Sequence, residues 1–171
     1  SLGSAMLAAK NEKGNFDKMT HSYYGVGFTD NEIKKSLIEA KIKFKKVKKI
    51  EKEVAKKLAE GKIIGWFQGR MEFGPRALGN RSIIADARRK ENWQKVNLKI
   101  KFRESFRPFA PSVLEERASD WFELDVPSPY MLLVADVKEE KRAEIPAITH
   151  VDGSARIQTV NREENSVYYD L

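Results

Sequence analysis

Cysteine is absent from the chain, and histidine occurs only at His21 and His150. A disulfide framework and a Cys/His metal site are therefore excluded, so any chemistry must come from arginine, lysine, carboxylates, amides or the backbone. No apolar run approaches the ~18 residues of a membrane span, and the N-terminus lacks the charged-then-apolar pattern of a signal peptide. These absences predict a cytoplasmic protein with no membrane segment.

The composition is typical of a folded globular protein. Of the 171 residues, 41% are hydrophobic and 33% are charged, which fits one domain with a sizeable core and a small piece of a neighbouring one. The net charge of +7 is concentrated in residues 68–107, which hold eleven Lys/Arg against four Asp/Glu, while the rest of the chain carries no net charge. This segment predicts an anionic partner such as phosphate, a nucleotide or nucleic acid.

Hydrophobic spacing predicts a mixed α/β or α+β fold with strands in both directions. The capping-box spacing of Thr29 and Glu32 begins one helix, and Gly61 ends another. The predicted helices cover the small residues from Leu2 up to the polar stretch 11–17, about 30–41, about 50–60, 91–98 and a short one within 115–122. The predicted strands cover 44–47, 62–68 (buried on both faces), 82–85, 109–114, 131–137, and a hairpin of 147–150 with 154–160 around Asp152-Gly153.

The loop at 69–82 combines glycine with arginine directly after a predicted core strand. Gly69, Gly74 and Gly79 allow a ligand to approach the backbone, and three arginines supply planar forks that match phosphate or carboxylate oxygens. These arginines are Arg70, Arg76 and Arg81. The pattern favours an anion cradle; the alternative is a surface loop whose arginines pair with Glu72, Asp86 and solvent.

Two further segments carry candidate groups. Residues 101–109 alternate basic and aromatic side chains, so an extended chain would place Lys101, Arg103 and Arg107 on one face and the aromatic rings on the other. A half-buried strand with solvated cations, or a single-stranded nucleic-acid site, fits the same pattern. The tight turn near Gly153 could present four side chains together, although a histidine beside a turn is often structural. These are His150, Asp152, Arg156 and Gln158.

Four stretches together resemble the C-terminal domain of the carbamoyltransferases that modify nodulation factors and antibiotics. They are GRMEFGPRALGNRS (69–82), KFRESFRPFAPSV (101–113), SPYM (128–131) and THVDGSARIQTV (149–160). The resemblance covers about 22–171. It implies a YrdC-like domain, with a twisted mixed sheet and flanking helices, that makes carbamoyl adenylate from carbamoyl phosphate and ATP with Mg²⁺. An N-terminal kinase/actin-like domain would then pass the carbamoyl group to a hydroxyl of a sugar-like acceptor.

The resemblance also implies residue roles and domain boundaries. We expect Arg76, Lys101 and Arg103 to be catalytic by neutralising the anions of the reaction. The predicted phosphate and substrate ligands are Arg70, Arg81, Arg107, His150, Asp152 and Arg156. Residues 1–20 would be a remnant of the upstream domain's last helix and linker, and 21–171 the carbamoyltransferase domain, truncated at its C-terminus.

Three functional alternatives remain on these residues. The first is an enzyme domain that prepares a carbamoyl group but does not transfer it without the upstream domain. The second is a basic RNA-binding module, although we do not expect nucleic acid to be the partner. The third is a non-catalytic structural partner for another domain, and a homo-oligomer through an unpaired strand edge is also compatible with the sequence.

Overall fold

Short helices and strands joined by long loops make up the computed structural model, which describes residues 2–13 and 19–171. The α-helices are α1 (Leu2–Lys13), α2 (Asp30–Glu39), α3 (Ile50–Ala59), α4 (Lys90–Val96), α5 (Ala118–Trp121) and α6 (Ser166–Asp170). The strands are β1 (Ile64–Phe67), β2 (Arg81–Ile84), β3 (Ser112–Leu114), β4 (Val134–Asp136), β5 (Ser154–Arg156) and β6 (Gln158–Val160). None of the helices in these ranges has the length and apolar character needed to cross a membrane.

The predicted N-terminal helices are confirmed. In α2 the Thr29 hydroxyl accepts from the Glu32 N–H at 3.3 Å, and the Glu32 carboxylate accepts from the Thr29 N–H at 2.7 Å. Gly61 ends α3 with a φ of +84°. α1 continues to Lys13, three residues into the predicted polar stop, and residues 1 and 14–18 of the proposed remnant lie outside the described residues.

The strand predicted at 44–47 is wrong. These residues link α2 to α3 without pairing to any strand, and the ring of Phe44 is 46% exposed. Alternation of apolar and basic residues predicts an extended chain, but a strand also needs a neighbour that accepts its hydrogen bonds. No described segment lies close enough to supply them.

β1 pairs with β2 in antiparallel register and is buried on one face only. Trp66 is 4% exposed, and its indole N–H donates to the Gly79 carbonyl at 2.7 Å. Phe67 points the other way, is 47% exposed and contacts Phe28, with 6.3 Å between the ring centroids. The expectation that both faces are buried is therefore wrong, because the loop packs on the Trp66 face of β1 and leaves the Phe67 face incompletely covered.

The other four strands form one parallel and one antiparallel pair. β3 pairs in parallel with β6, and β4 pairs antiparallel with β5. The main core lies beside the second pair; it consists of Phe122, Val137, Ile145, Ile148, Ala155 and Ile157. The α/β class with strands in both directions is confirmed, with the strands distributed over three two-stranded sheets.

The hairpin predicted around Asp152-Gly153 is wrong, although the turn itself is present. The Gly153 N–H donates to the His150 carbonyl, and the His150 N–H donates to the Ser154 carbonyl, both at 2.9 Å. Residues 146–148 before the turn form another turn, so β5 takes β4 as its partner. The predicted strand 131–137 is correspondingly short, since Met131 has a φ of +53° and regular pairing begins at Val134.

The remaining element predictions are confirmed with shifted ends. β2 covers most of 82–85, α4 most of 91–98, and β3 the end of 109–114. The short helix predicted within 115–122 is a 3₁₀ turn, Glu115–Arg117, that leads into α5. Residues 68–80 form the predicted irregular loop between β1 and β2.

Candidate functional site

The loop between β1 and β2, residues 69–80, is organised around one buried carboxylate. The Glu72 side chain is fully buried; it accepts from the backbone N–H groups of Leu78 at 2.6 Å and Asn80 at 2.8 Å. Burial acts to raise the pKa of Glu72, but the bonds from Arg81 and these N–H groups outweigh it and lower the pKa below its usual value. Glu72 is therefore an ionised centre around which the loop folds.

Two of the three loop arginines are engaged within the fold. The Arg81 Nε donates to the Glu72 carboxylate at 2.7 Å. Arg70 donates to the carbonyls of Gly25 at 3.0 Å and Tyr24 at 3.1 Å. The alternative in which loop arginines pair within the protein thus describes Arg81, and the phosphate-binding roles of Arg70 and Arg81 remain predictions.

Gly79 closes the loop where no side chain would fit. Its φ is +109°, and a Cβ built there would lie 2.5 Å from the Tyr168 ring. The loop backbone can therefore pack directly against α6 only because residue 79 is glycine.

A cleft of about 490 Å³ brings together five of the predicted site residues. They are Arg103, Arg107, His150, Asp152 and Arg156. Three come from the motif at 149–160 and two from the motif at 101–113, so the cleft joins segments that are distant in sequence. Lys101 is exposed at the end of a π-helical turn, Asn97–Lys101, and is not among the residues that line the cleft.

The extended basic segment predicted at 101–109 is wrong. The π-helical turn is followed by Phe102 with a φ of +49° and then by further turns, so the basic and aromatic side chains do not form opposite faces of a strand. Phe102 and Phe106 are 84% and 66% exposed. A buried asparagine, described next, determines this course instead.

Asn97 holds the basic segment in place from within. Its side chain amide donates to the carbonyls of Ser105 at 3.3 Å and Arg107 at 2.9 Å, and its oxygen accepts from the Arg103 Nε at 2.7 Å. The Arg103 guanidinium also lies 4.8 Å from the centroid of the Phe109 ring. Sequence reasoning missed Asn97, since a single asparagine near the end of a helix carries no distinctive signal.

The turn at 150–154 supplies the acceptor of the cleft. Asp152 accepts from the Ser154 hydroxyl at 2.7 Å and N–H at 2.9 Å, and the His150 Nδ1 lies 3.0 Å from the same carboxylate. These bonds, led by that of Ser154, hold the pKa of Asp152 well below its usual range. Asp152 is therefore ionised at neutral pH.

Three guanidinium groups lie near one another without a carboxylate to neutralise them. Burial and then the nearby charges of Arg76 and Arg103 lower the pKa of Arg156. The Arg76 Nε is buried and has no hydrogen-bond partner within the described chain. Within the described part of the chain, Arg76, Arg103 and Arg156 form no ion pair. Arg107, in contrast, is paired with Glu104 at 2.8 Å. Such a cluster favours a multiply charged anion as its ligand.

A family model described as Carbamoyltransferase C-terminus matches residues 55–171, which include the loop and the whole cleft. The chain belongs to this family. The matched segment carries Glu72, Asn97, the loop arginines and the residues that line the cleft.

Similar curated proteins include two nodulation proteins. The chain is 51% identical to an uncharacterized protein, sll1178, of Synechocystis over 91% of its length and 29% of that protein. It is 42% identical to nodulation protein NolNO of Sinorhizobium fredii over its whole length and 26% of that protein. It is 56% identical to nodulation protein NolO of Bradyrhizobium diazoefficiens over 67% of its length and 21% of that protein. The chain therefore spans about a quarter of the length of these relatives.

Gln158 does not line the cleft, in contrast to the expectation for the turn motif. It is 3% exposed and lies in β6, where its amide donates to the Leu78 carbonyl at 2.8 Å. Two residues that are two positions apart in one strand point to the same face. Arg156 ends β5 and Gln158 begins β6, so the break between the two strands removes that relation. The turn motif therefore contributes His150, Asp152 and Arg156 to the cleft.

Proposed function

We propose that this carbamoyltransferase domain activates a carbamoyl group as carbamoyl adenylate, with carbamoyl phosphate and ATP as substrates. The observation that carries the proposal is the convergence of Arg76, Arg103 and Arg156 without carboxylate partners in the described residues. Both substrates carry the multiple negative charges that such a cluster would stabilise. Among reactions with anionic substrates, we propose carbamoyl transfer because the chain belongs to a carbamoyltransferase family.

The reaction needs no side chain as a nucleophile. Water would convert carbamoyl phosphate to carbamate and inorganic phosphate. A carbamate oxygen would then attack the α-phosphorus of ATP, forming a P–O bond while the bond to pyrophosphate breaks. The arginines would stabilise the negative charge that accumulates on the phosphate oxygens, which is the main task of a site for phosphoryl or nucleotidyl transfer.

Magnesium would enter the site with the triphosphate. In the described residues no group of three or more His, Asp or Glu side chains could hold a metal ion by itself. Mg²⁺ commonly binds through substrate phosphates with one or two carboxylates, and the ionised Asp152 at the cleft fits that requirement. The ion would partly neutralise the negative charges of the same phosphate groups that the three arginines would bind.

Pyrophosphate exchange tests the activation step without an acceptor. The chain is incubated with Mg·ATP, carbamoyl phosphate and labelled pyrophosphate, and label in ATP is measured. We expect exchange that depends on carbamoyl phosphate and is abolished in Arg156→Ala. Arg88→Ala is the matched control, because Arg88 is exposed and pairs with Asp86 at 2.7 Å outside the cleft. Exchange that is equal in Arg156→Ala and the wild type would overturn the proposal.

Transfer to the acceptor belongs to a different pocket in this proposal. A hydroxyl must come within ~3–3.5 Å of the carbamoyl carbon, and a positioned base must take its proton. We expect a second domain to provide both and this chain alone to form no carbamoylated sugar. Product formation by the chain alone, at the rate of a protein that also contains the upstream domain, would contradict this division.

Single-stranded nucleic acid is the second candidate ligand, favoured by one observation. The exposed rings of Phe102 and Phe106 lie beside the basic side chains of the same segment and could stack on bases. Titration with an oligonucleotide at increasing salt separates the candidates, since affinity for nucleic acid falls steeply with the logarithm of salt concentration. We expect carbamoyl phosphate to bind the cleft whether or not the oligonucleotide is present. We also expect the oligonucleotide to leave the rate of pyrophosphate exchange unchanged.

A further inference from the structure

Gln158 joins the two segments that carry Arg76 and Arg156. Its amide nitrogen donates to the Leu78 carbonyl at 2.8 Å, two residues after Arg76 in the loop. Its own position in β6 is two residues after Arg156. One buried hydrogen bond thus connects segments that are 80 residues apart in sequence, close to Arg76 in the loop and to Arg156, which lines the cleft.

The Gln158 side chain is itself held in one orientation. Its oxygen accepts from the Ser112 hydroxyl at 3.0 Å, and that hydroxyl lies 2.8 Å from the Tyr168 hydroxyl. The Gln158 backbone N–H donates to the Pro111 carbonyl at 2.9 Å. With one side of the amide occupied in this way, the NH₂ group is directed at the Leu78 carbonyl.

The internal shape of the loop does not depend on this bond. Glu72 holds the loop's own N–H groups, and Trp66 donates to the Gly79 carbonyl from β1. These contacts fix the loop relative to β1 and β2. Among the described side chains, the Gln158 amide is the one that ties the Leu78 carbonyl to the strand beside Arg156.

The guanidinium groups need such a connection because they repel one another. In the free protein Arg76, Arg103 and Arg156 carry like charges, and after burial the charges of Arg76 and Arg103 are the causes that lower the pKa of Arg156. A flexible frame would let them separate, and binding an anion would then have to draw them together again. A rigid frame removes that cost and increases affinity.

We infer that Gln158 is a positioning residue that sets the spacing of Arg76 and Arg156 for an anion that bridges them. This inference rests on the proposed anion site. It assigns to Gln158 a role in affinity for a diphosphate, which would bridge the two arginines, rather than direct contact with the ligand. Inorganic pyrophosphate is therefore the probe, and inorganic phosphate is the reference that is too small to depend strongly on the spacing.

A double-mutant cycle with Gln158→Met and Arg76→Ala tests the inference by pyrophosphate titration calorimetry. Methionine conserves volume and removes the donor to the Leu78 carbonyl. We expect Gln158→Met to weaken pyrophosphate binding about tenfold in the wild-type background and less than about twofold in the Arg76→Ala background, because coupled residues show interaction energies of this size. An effect that is equal in both backgrounds would overturn the inference, since a merely structural residue would act independently of Arg76.

Tyr23→Phe is the matched control for the acceptor. The Tyr23 hydroxyl donates to the same Leu78 carbonyl at 3.0 Å, but residues 22–24 carry no arginine of the cluster. We expect this variant to change stability without changing pyrophosphate affinity. If it weakens binding as much as Gln158→Met does, the link to Arg156 is not the cause and the inference fails.

A second substitution protects the test against misfolding. Gln158→Leu is close in volume, loses the donor to Leu78 and adds no charge, so it repeats the cycle with a second neutral side chain, and the thermal midpoint of each Gln158 variant shows whether it folds. Pyrophosphate binding that is unchanged in Arg76→Ala and Arg156→Ala would overturn the proposed anion site and this inference together. Loss in both arginine variants without loss in either Gln158 variant would overturn this inference alone.

Discussion

Residues 41–62 and 69–81 both carry net positive charge, yet the fold uses their charges in different ways. The first segment holds ten lysines against three glutamates, and all ten lysines are exposed. The second holds Arg70, Arg76 and Arg81 in a loop that folds around the buried carboxylate of Glu72. The first segment carries the higher net charge, +7 over 22 residues against +2 over 13, so the placement of the arginines depends on the framework behind them and not on the amount of charge.

The ion pairs of the two segments show that difference directly. In the lysine-rich segment, Glu53 lies 3.6 Å from Lys45 and 3.8 Å from Lys57, and all three side chains are at least 36% exposed. Exposed pairs of this kind contribute little to stability. In the loop, the Glu72–Arg81 pair at 2.7 Å has one fully buried partner with further N–H donors. The buried Glu72 carboxylate therefore holds the loop backbone in one conformation, and that conformation sets the positions of the loop arginines.

The largest expected effect is the loss of this carboxylate. Glu72→Gln leaves Arg81 half-buried without its counter-charge, and breaking a buried pair costs ~3–5 kcal/mol. Urea unfolding should show a decrease of that order in the free energy of unfolding. Glu53→Gln is the control in the lysine-rich segment, and a decrease of equal size there would contradict the comparison.

The next effect concerns ligand affinity rather than stability. Arg76→Ala removes charge-assisted hydrogen bonds to an anion that are worth ~1.5–3 kcal/mol, so carbamoyl phosphate should bind about ten- to a hundredfold more weakly. The thermal midpoint should hardly move, because the Arg76 Nε has no partner within the described chain. Unchanged affinity in calorimetric titration would remove Arg76 from the site.

Acid should destabilise the protein in part through the loop carboxylate Glu72. The pKa of Glu72 is lowered in the folded protein, so its contribution to stability is complete above the unfolded value of ~4.3 and is lost as the pH falls through the folded value. Unfolding measured between about pH 6 and 3 should therefore show a decline that is smaller in Glu72→Gln. A decline that is identical in the variant and the wild type would assign it to other carboxylates.

The smallest effect should follow from removing an exposed lysine. Lys56 is exposed on α3 and forms no ion pair within the described residues. Lys56→Ala should change the free energy of unfolding by less than about 0.5 kcal/mol and leave carbamoyl phosphate binding unchanged. A loss of affinity comparable to that of Arg76→Ala would show that the long-range field of the lysines, rather than the framework, attracts the ligand.

Local sequence determined the elements whose signals lie within a few residues. The capping box of Thr29 and Glu32, the stop at Gly61 and the irregular loop at 69–80 all follow from short-range chemistry, and each is present. The motifs also indicated the family and the arginine, histidine and aspartate side chains of the cleft, including Arg103, His150 and Arg156, because these groups stand in the stretches that carry the resemblance.

Tertiary structure alone decided which of these residues act together. Phe67 is exposed because its face of β1 is incompletely covered, and Asn97 rather than alternation sets the course of the basic segment. The same holds for Arg81, which a buried carboxylate neutralises, and for Gln158, which reaches a carbonyl 80 residues away. Residue types and spacings specify what a side chain can do; the partner that it meets depends on contacts between segments that the order of residues does not bring together.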